Sequence, residues 1–324
     1  MRTFSRYFTL STYFHNRHGK RIQKIPLDAG FSCPNRDGTL SSRGCLFCNP
    51  LGSGTGQSIA NIPLADQYAH WRTRFQQKYK AHAFLAYLQS FSNTYGPLTK
   101  LTRVLDALHD LPELEGICLG TRPDCLDQPK LAALAAFPGT ENWLDLGLQS
   151  SNNQTLERIN RGHDAQCFAR AARMAGSMGL KICAHVIAGL PGENMDDFLA
   201  TIGFVNQLPV RGIKIHNLYV CKGSGLVRWW QRGDYRPLDM DEYTQWVVQG
   251  LIRLRPDIVI HRINGDPQPG ELVAPNWALS KSQIIQKIVR HLEDRDLWQG
   301  KLSGKANDRP YWFDRNGGIP DGID

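Results

Sequence analysis

The sequence predicts an α/β fold, a partial (β/α)6 TIM-like barrel followed by a C-terminal α/β extension. Apolar runs of strand length alternate with amphipathic stretches through six successive units, which favours a parallel sheet covered by helices. Short polar or glycine-rich stretches follow the strands, as they do at the mouth of such a barrel. We therefore divide the chain into a basic aromatic arm (1–21), a core barrel (22–236) and an extension (237–324).

The predicted elements succeed one another in a regular order. The strand KIPLD precedes a cysteine-rich loop and a stretch whose apolar residues recur at helical spacing. Four further strands contain HAFLAYLQSF, GICLG, WLDLGLQ and KICAHVIAGLPG, and the segment SNNQTLERI between them opens with typical N-cap residues. GIKIHNLYV is the sixth strand. After about Pro237, two helical stretches flank DIVIHRING, and a tail rich in glycine, aspartate and aromatic residues begins at Gly300.

Three cysteines lie close together after the first strand. Cys33, Cys45 and Cys48 are separated by eleven and then two residues. A structural zinc site needs four ligands, so a histidine would have to complete it. The candidate histidines are His15, His18 and His70. A cube-type iron–sulfur cluster held by three thiolates would instead leave one iron open, and the residues alone leave both interpretations open.

The formal net charge is +8, and the arm contributes strongly to it. Residues 1–26 contain six lysines and arginines and no acidic residue, interleaved with aromatic residues. Such a segment could bind phosphates and stack on bases. Alternatively, it is a solvated arm whose aromatic residues pack on the barrel.

No feature of the sequence predicts a membrane or secreted protein. The chain lacks an apolar run of about twenty residues, and its N-terminus lacks the apolar centre of a signal peptide. We therefore expect a cytoplasmic protein with no membrane partner, whose cysteines are reduced, buried or metal-bound.

Several motifs together resemble a known superfamily. CPNRDGTLSSRGCLFC, WLDLGLQSSNNQTLERINRGH and HVIAGLPGE are similar, in this order, to segments of the radical S-adenosylmethionine (SAM) enzymes. The resemblance is to the branch of the oxygen-independent coproporphyrinogen oxidases and elongator-type tRNA enzymes. GFSCPNRDGT, GTRPDC, INRGHD and GIKIHNLYVCKGS resemble the YhcC/YtqA group within it.

This resemblance implies a barrel of radical SAM type and two cofactors. Cys33, Cys45 and Cys48 would bind three irons of a [4Fe-4S] cluster, and the open iron would chelate SAM. Reduction by an external donor of flavodoxin or ferredoxin type would then cleave SAM and produce a 5'-deoxyadenosyl radical. No catalytic side chain is assigned.

The resemblance also implies a set of SAM contacts along the carboxyl ends of the strands. In chain order, these residues are Gln89, Ser92, Asn93, Gln149, Arg161, His185, Gly189 and Pro191. The first three would meet the methionine amino group and Arg161 the carboxylate, whereas Gln149 would contact the ribose or methionine and His185 the ribose. The GLPGE turn would pass the adenine. Each also has a structural alternative; for example, Arg161 could pair with Glu157 one helical turn away.

Three functions remain from the sequence. The first is a radical SAM enzyme that modifies tRNA at a wobble uridine, suggested by the basic arm and the resemblance. The second is a radical SAM enzyme that acts on a small metabolite or a partner protein. The third is a zinc-bound module that binds nucleic acid without catalysis.

Overall fold

The computed structural model describes residues 5–50, 52, 61–268, 270–303 and 309–313. Seven parallel strands form one curled half-barrel sheet in the order β1-β2-β3-β4-β5-β6-β8, and β7 and β9 form a small antiparallel pair. The strands are β1 (Gln23–Leu27), β2 (Phe84–Leu88), β3 (Leu114–Thr121), β4 (Trp143–Gln149), β5 (Lys181–Ala188), β6 (Val210–Asn217), β7 (Val220–Cys221), β8 (Val259–Arg262) and β9 (Leu272–Ala274).

Ten α-helices accompany the strands in the described part of the chain, and most of them connect successive parallel strands. They are α1 (Leu10–His18), α2 (Leu64–Tyr79), α3 (Leu98–His109), α4 (Gln128–Ala135), α5 (Asn153–Arg158), α6 (Ala165–Ser177), α7 (Met195–Asn206), α8 (Leu226–Gln231), α9 (Met240–Arg253) and α10 (Lys281–Asp294). This architecture confirms the predicted α/β partial barrel. None of the described helices is long and apolar enough to cross a membrane.

The predicted extension contributes a strand to the barrel sheet. β8 pairs in parallel with β6, so the sheet has one strand more than the six predicted for the core. Extension and core therefore share one sheet, and the three-part division of the chain stays a prediction.

An aromatic cluster closes the barrel at the amino ends of its strands. It combines residues from the arm, from the first position of β4 and from the end of the described chain, namely Phe8, Phe14, Trp143, Trp298, Trp312 and Phe313. Phe8 stacks on Trp312 with ring centroids 5.7 Å apart. Tyr7 is also buried in the main core. These arm aromatics therefore pack inside the protein, as the second interpretation of the arm expected, and are not exposed for base stacking.

A fully buried carboxylate attaches α1 to the bottom of the barrel. Glu141 precedes β4 and lies 3.0 Å from Arg17 Nε, 2.8 Å from His18 Nε2 and 2.9 Å from Lys181 Nζ. The indole of Trp143 donates a further hydrogen bond of 2.8 Å. Burial alone would raise the pKa of Glu141, but its hydrogen-bonding and cationic neighbours outweigh burial and hold the pKa below its ordinary value.

We expect Glu141→Gln to lower the free energy of unfolding by roughly 1 to 3 kcal/mol at neutral pH, because buried charge-assisted hydrogen bonds are lost. A depressed carboxyl pKa stabilises the fold above the pKa of the unfolded state, and this contribution disappears as the pH falls through the folded pKa. The difference between wild type and variant should therefore shrink in acid, as measured by urea unfolding at several pH values. Glu115→Gln, which removes a more exposed pair with Lys20, is the control and should cost less than about 1 kcal/mol. Equal stability of wild type and Glu141→Gln at neutral pH would contradict this account.

Candidate active site

The cysteine loop lies at the carboxyl edge of the sheet, directly after β1. Cys33 and Cys45 are buried and Cys48 is half-buried. Tight turns shape the loop: the Arg36 amide donates to the Cys33 carbonyl at 2.9 Å, and the Cys48 amide to the Cys45 carbonyl at 3.0 Å. These turns shape the short segment that carries the three cysteines.

The donor set fits a cluster held by three thiolates better than a closed zinc site. Within the part of the chain that the structure describes, the three sulfurs are not all within 4.8 Å of one another. Ligands of a tetrahedral zinc would lie about 3.8 Å apart, given zinc–sulfur bonds of about 2.3 Å.

The histidines considered for zinc also lie elsewhere. His18 binds Glu141 at the opposite end of the barrel, His15 is exposed on the same helix α1, and His70 packs against Trp71 on α2.

The loop's thiols lie in a cationic environment. A hydrogen bond with Cys48 and the nearby Arg161 hold the pKa of Cys45 well below its usual value, against the effect of burial. The same hydrogen bond, together with burial, raises the pKa of Cys48. Arg161 Nη1 lies 3.6 Å from Cys45 Sγ. The guanidinium group therefore stabilises negative charge on this sulfur.

The INRGH segment after α5 holds the cysteine loop in place. Asn160 Nδ2 donates to the Gly44 carbonyl at 2.6 Å, and the Leu46 amide donates to the Ile159 carbonyl at 2.9 Å. Asn35 Nδ2 donates in turn to the Asn160 carbonyl at 2.5 Å and lies 3.4 Å from Cys45 Sγ. The two segments are therefore fixed to each other by reciprocal hydrogen bonds.

Arg161 and Gln149, two of the predicted SAM contacts, meet over Gly147 of β4. Arg161 Nη2 donates to the Gly147 carbonyl at 2.9 Å, and its buried Nε has no partner among the described residues. A Cβ at Gly147 would lie 2.4 Å from Arg161 Nη2 and 2.7 Å from Gln149 Nε2, so only glycine allows both side chains to lie here. Within the described ion pairs, Arg161 does not contact Glu157, so the structural alternative for it is not realised.

Sequence reasoning missed a second buried arginine. Arg122, from the GTRPDC segment after β3, binds Asp124 through two hydrogen bonds of 2.9 and 2.7 Å. Its Nη1 is buried without a partner among the described atoms, and the guanidinium lies close enough to Cys33 and Cys45 to interact with their charge. The signal for it in the sequence is an arginine directly after a strand, in the GTRPDC segment.

The residues predicted to contact the methionine amino group lie at the carboxyl end of β2. Ser92 Oγ is hydrogen-bonded to Thr121 Oγ1 at 2.8 Å, and Asn93 Nδ2 donates to the carbonyls of Ser90 and Gly120. Asn93 Oδ1 is buried without a hydrogen-bond partner among the described atoms. Gln89 is half-buried and faces a cavity described below. Ser92 and the Asn93 amide thus support the rim, and SAM contact by these three residues stays a prediction.

The GLPGE turn after β5 is held from both sides. Tyr235 donates its hydroxyl to the Gly189 carbonyl, and Arg158 Nη1 donates to the Pro191 carbonyl, both at 3.0 Å. At Gly192, an added Cβ would clash with the Arg158 guanidinium at 1.5 Å. The turn is therefore anchored at the mouth of the barrel next to β4 and β5, where adenine contact was predicted.

A polar layer crosses the barrel interior below this mouth. Asp145 Oδ2 accepts a hydrogen bond of 2.6 Å from Lys214 Nζ, and His185 Nε2 lies 3.3 Å from the same oxygen. Lys24 Nζ lies 3.1 Å from His261 Nδ1. The structure thus places His185, a predicted ribose contact, beside a buried carboxylate.

The charges of this layer follow from burial and proximity. Burial would raise the pKa of Asp145, but Lys214, Lys24 and His185 hold it well below its usual value. Burial, and then Lys214, lowers the pKa of His185 to about 4, so this imidazole is neutral at physiological pH. The cationic neighbours of Asp145 therefore favour its ionised form.

The sequence contains a weak signal for this layer. Lys24, Asp145, Lys214 and His261 are charged or titratable residues with an apolar neighbour in the strands QKIPL, WLDLGLQ, GIKIHN and VIHR. Because alternate residues of a strand point to the same face, such residues on several strands of one sheet can form a shared polar layer.

Comparison with known proteins identifies the family of this chain. The family model of the radical SAM superfamily matches residues 42–205, and the model of the radical SAM C-terminal domain matches residues 210–294. The YtqA protein of Bacillus subtilis is 36% identical over 301 residues, which cover 93% of this chain and 94% of YtqA. The tRNA uridine(34) acetyltransferase of Dehalococcoides mccartyi is 28% identical over 217 residues, which cover 63% of this chain and 47% of that protein.

A solved structure shares the fold. The archaeal Methanocaldococcus infernus Elp3 with an N-terminal deletion superimposes with a TM-score of 0.66 at 16% identity, covering 86% of this chain and 64% of that one. At this identity the similarity bears on the fold alone. The chain therefore belongs to the radical SAM superfamily, within the group that includes YtqA, and is an enzyme whose cofactors are a [4Fe-4S] cluster and SAM.

Proposed function

We propose that Cys33, Cys45 and Cys48 hold the cluster and that the enzyme modifies tRNA at a wobble uridine. The observation that supports the cluster assignment is the combination of three thiols with two buried, incompletely paired arginines at the mouth of the barrel. When bound, the cluster and SAM supply a one-electron cleavage that makes hydrogen-atom abstraction possible.

The protein's residues would orient the two cofactors. Arg161 Nε has no partner among the described residues, and the side chain lies next to the cysteine loop, so its planar fork is suited to the SAM carboxylate. The anchored GLPGE turn would support the adenine, and the aromatic cluster packs the barrel at the amino ends of its strands. We further propose that the external electron donor is of flavodoxin or ferredoxin type and that the enzyme works in the cytoplasm, where tRNA is found.

Two observations support tRNA as the substrate. The chain is similar to a protein named tRNA uridine(34) acetyltransferase, and its net charge is +8. The arm is less suited to RNA than its sequence suggested, because Arg17 and Lys20 pair with Glu141 and Glu115. Helix α2 is better suited, since it exposes cations beside the open side of the barrel.

Arg74 and Lys78 of α2 are exposed and lie next to the aromatic residues Trp71 and Tyr79. Cations that bind phosphates and aromatic rings that stack on bases are the two components of a single-strand binding surface. We therefore place the RNA contact on α2.

We expect the double variant Arg74→Ala/Lys78→Ala to bind tRNA more weakly and with a smaller salt dependence. Each lost phosphate contact should reduce the slope of log affinity against log salt by about one. Affinity would be measured by filter binding at several salt concentrations. Arg211→Ala/Arg232→Ala removes two exposed cations from other elements and is the matched control.

The modified nucleosides of tRNA from cells with and without the gene test the reaction itself. We expect one wobble-uridine derivative to change in abundance when the gene is deleted. Identical nucleoside profiles, together with binding that is indifferent to Arg74 and Lys78, would instead favour a small metabolite or a partner protein as the substrate.

A further inference from the structure

The barrel has a lateral cavity on its open side. β1 and β8 are the two edge strands of the sheet, and a cavity of about 350 Å³ lies between them. Helices α1 and α2 flank it: Phe14 lines it from α1, and Trp71, Phe75 and Tyr79 line it from α2. This volume lies within the range of pockets that bind small ligands or a single nucleotide.

The charged side chains in the described lining of this cavity are all cationic. Its cationic lining residues are Arg21, Lys24, Arg74, Lys78, Lys214 and Arg262. Among the described residues that line it, none is an aspartate or a glutamate. Low-dielectric walls of one charge sign concentrate ligands of the opposite sign.

At the inner end of the cavity, Lys24 differs from Lys214 in its contacts. Lys214 is neutralised by Asp145 at 2.6 Å, whereas the described contacts of Lys24 Nζ are His261 Nδ1 at 3.1 Å, Cys118 Sγ at 3.4 Å and the ring of Tyr87. Within the described structure, no carboxylate lies within 4.0 Å of this ammonium group. Asp145 lies close enough to interact with Lys24 electrostatically, but its direct ion pair is with Lys214. The Lys24 ammonium group is therefore suited to a direct contact with an anionic ligand.

We propose that Lys24 binds an anionic group of the substrate, a carboxylate or a phosphate, and that the substrate reaches it through the lateral cavity. Lys24 lies three residues before the end of β1, so the anionic group would lie on the order of 10 Å below the cofactor edge of the sheet. The reacting carbon would then lie nearer to that edge, beside Gln89 and the predicted SAM contacts. This inference rests on the proposed function in placing the substrate inside the barrel, but it does not require the substrate to be RNA.

Three related probes separate the possible sources of the charge. Uridine is neutral, uridine 5'-monophosphate adds a phosphate, and orotidine adds a carboxylate to the base. Binding to the reconstituted holoenzyme with SAM would be measured by isothermal titration calorimetry. We expect at least one anionic probe to bind about ten- to a hundredfold more tightly than uridine, as one charge-assisted contact allows. The probe that binds more tightly than uridine shows whether phosphate or carboxylate is the recognised group.

The variant Lys24→Gln should lower the affinity for that anionic probe to the affinity for uridine, while the affinity for uridine stays unchanged. Lys287→Gln, an exposed lysine on α10 away from the cavity, should retain the preference. Equal binding of all three probes to the wild type would overturn the proposal without any variant, so a poorly folded Lys24→Gln protein cannot obscure the result. An intact preference in folded Lys24→Gln would also overturn it.

These outcomes are independent of the tRNA hypothesis. If nucleoside profiles do not change with the gene but the Lys24-dependent preference is present, the tRNA function fails and the anionic site stands. If the profiles change and the preference is absent, the tRNA function stands and the anionic site fails.

Discussion

Changing any one of Cys33, Cys45 or Cys48 to alanine should abolish the four-iron cluster after anaerobic reconstitution. With only three protein thiolates, loss of one leaves an iron without its protein ligand, and the other two cannot replace it. Iron and sulfide content and the brown visible absorption of the reconstituted protein measure the effect. We expect SAM cleavage to be lost in all three variants.

Two other thiols near the loop provide sharp controls. Cys221 Sγ lies 3.5 Å from the Phe47 carbonyl, and Cys125 lies close enough to Cys33 for an electrostatic interaction. Burial raises the pKa of each to about 11, so both favour the protonated form. Cys125→Ala and Cys221→Ala should therefore retain full iron and sulfide. A complete cluster in Cys33→Ala together with its loss in Cys221→Ala would move the third ligand to Cys221.

Arg161→Met should weaken SAM binding by about ten- to a hundredfold while leaving the cluster in place. The variant removes a guanidinium that can donate two hydrogen bonds to a carboxylate, a contact worth roughly 1.5 to 3 kcal/mol. Methionine keeps much of the side-chain length, so the packing around Cys45 is largely preserved. Equilibrium dialysis with SAM and an iron assay on the same sample separate the two effects.

Two further variants test the geometry of this contact. Arg170→Met removes an exposed arginine of α6 and should bind SAM as the wild type does. Gly147→Ala keeps Arg161 but adds a Cβ only 2.4 Å from its Nη2, so it should also weaken SAM binding by displacing the guanidinium. Wild-type SAM affinity in both Arg161→Met and Gly147→Ala would show that Arg161 supports the cysteine loop only.

Much of the fold and part of the site could be predicted from local sequence. Strand–helix alternation predicted the parallel half-barrel, because the spacing of apolar residues reports directly which face of each element is buried. The separation of Cys33, Cys45 and Cys48 predicted a three-thiol loop after β1, since these residues lie in one short segment. The resemblance carried by the motifs predicted the superfamily and its cofactors, and the comparisons confirm both.

Contacts between distant segments could not be predicted in the same way. Asp145, Lys214, Lys24 and His261 lie on four strands, and the alternation of each strand says only that its residue points inward. Which inward residues meet depends on strand order and register across the sheet. The seventh strand, β8, escaped the prediction because DIVIHRING lies in the predicted extension, and only the pairing with β6 shows that it joins the barrel sheet.

The sequence by itself determined that this protein is a radical SAM enzyme with a parallel barrel and a three-cysteine loop, because local periodicity and contiguous motifs carry that information. Only the tertiary structure decided that the arm's aromatic residues close the barrel floor, that Arg122 joins Arg161 beside the thiols, and that Lys24 lacks a carboxylate partner among the described residues. The physical reason is that burial and charge neutralisation depend on neighbours brought together by folding. A basic aromatic segment has the same composition whether it packs inside or faces solvent, and an ammonium group is paired or unpaired only once its surroundings exist.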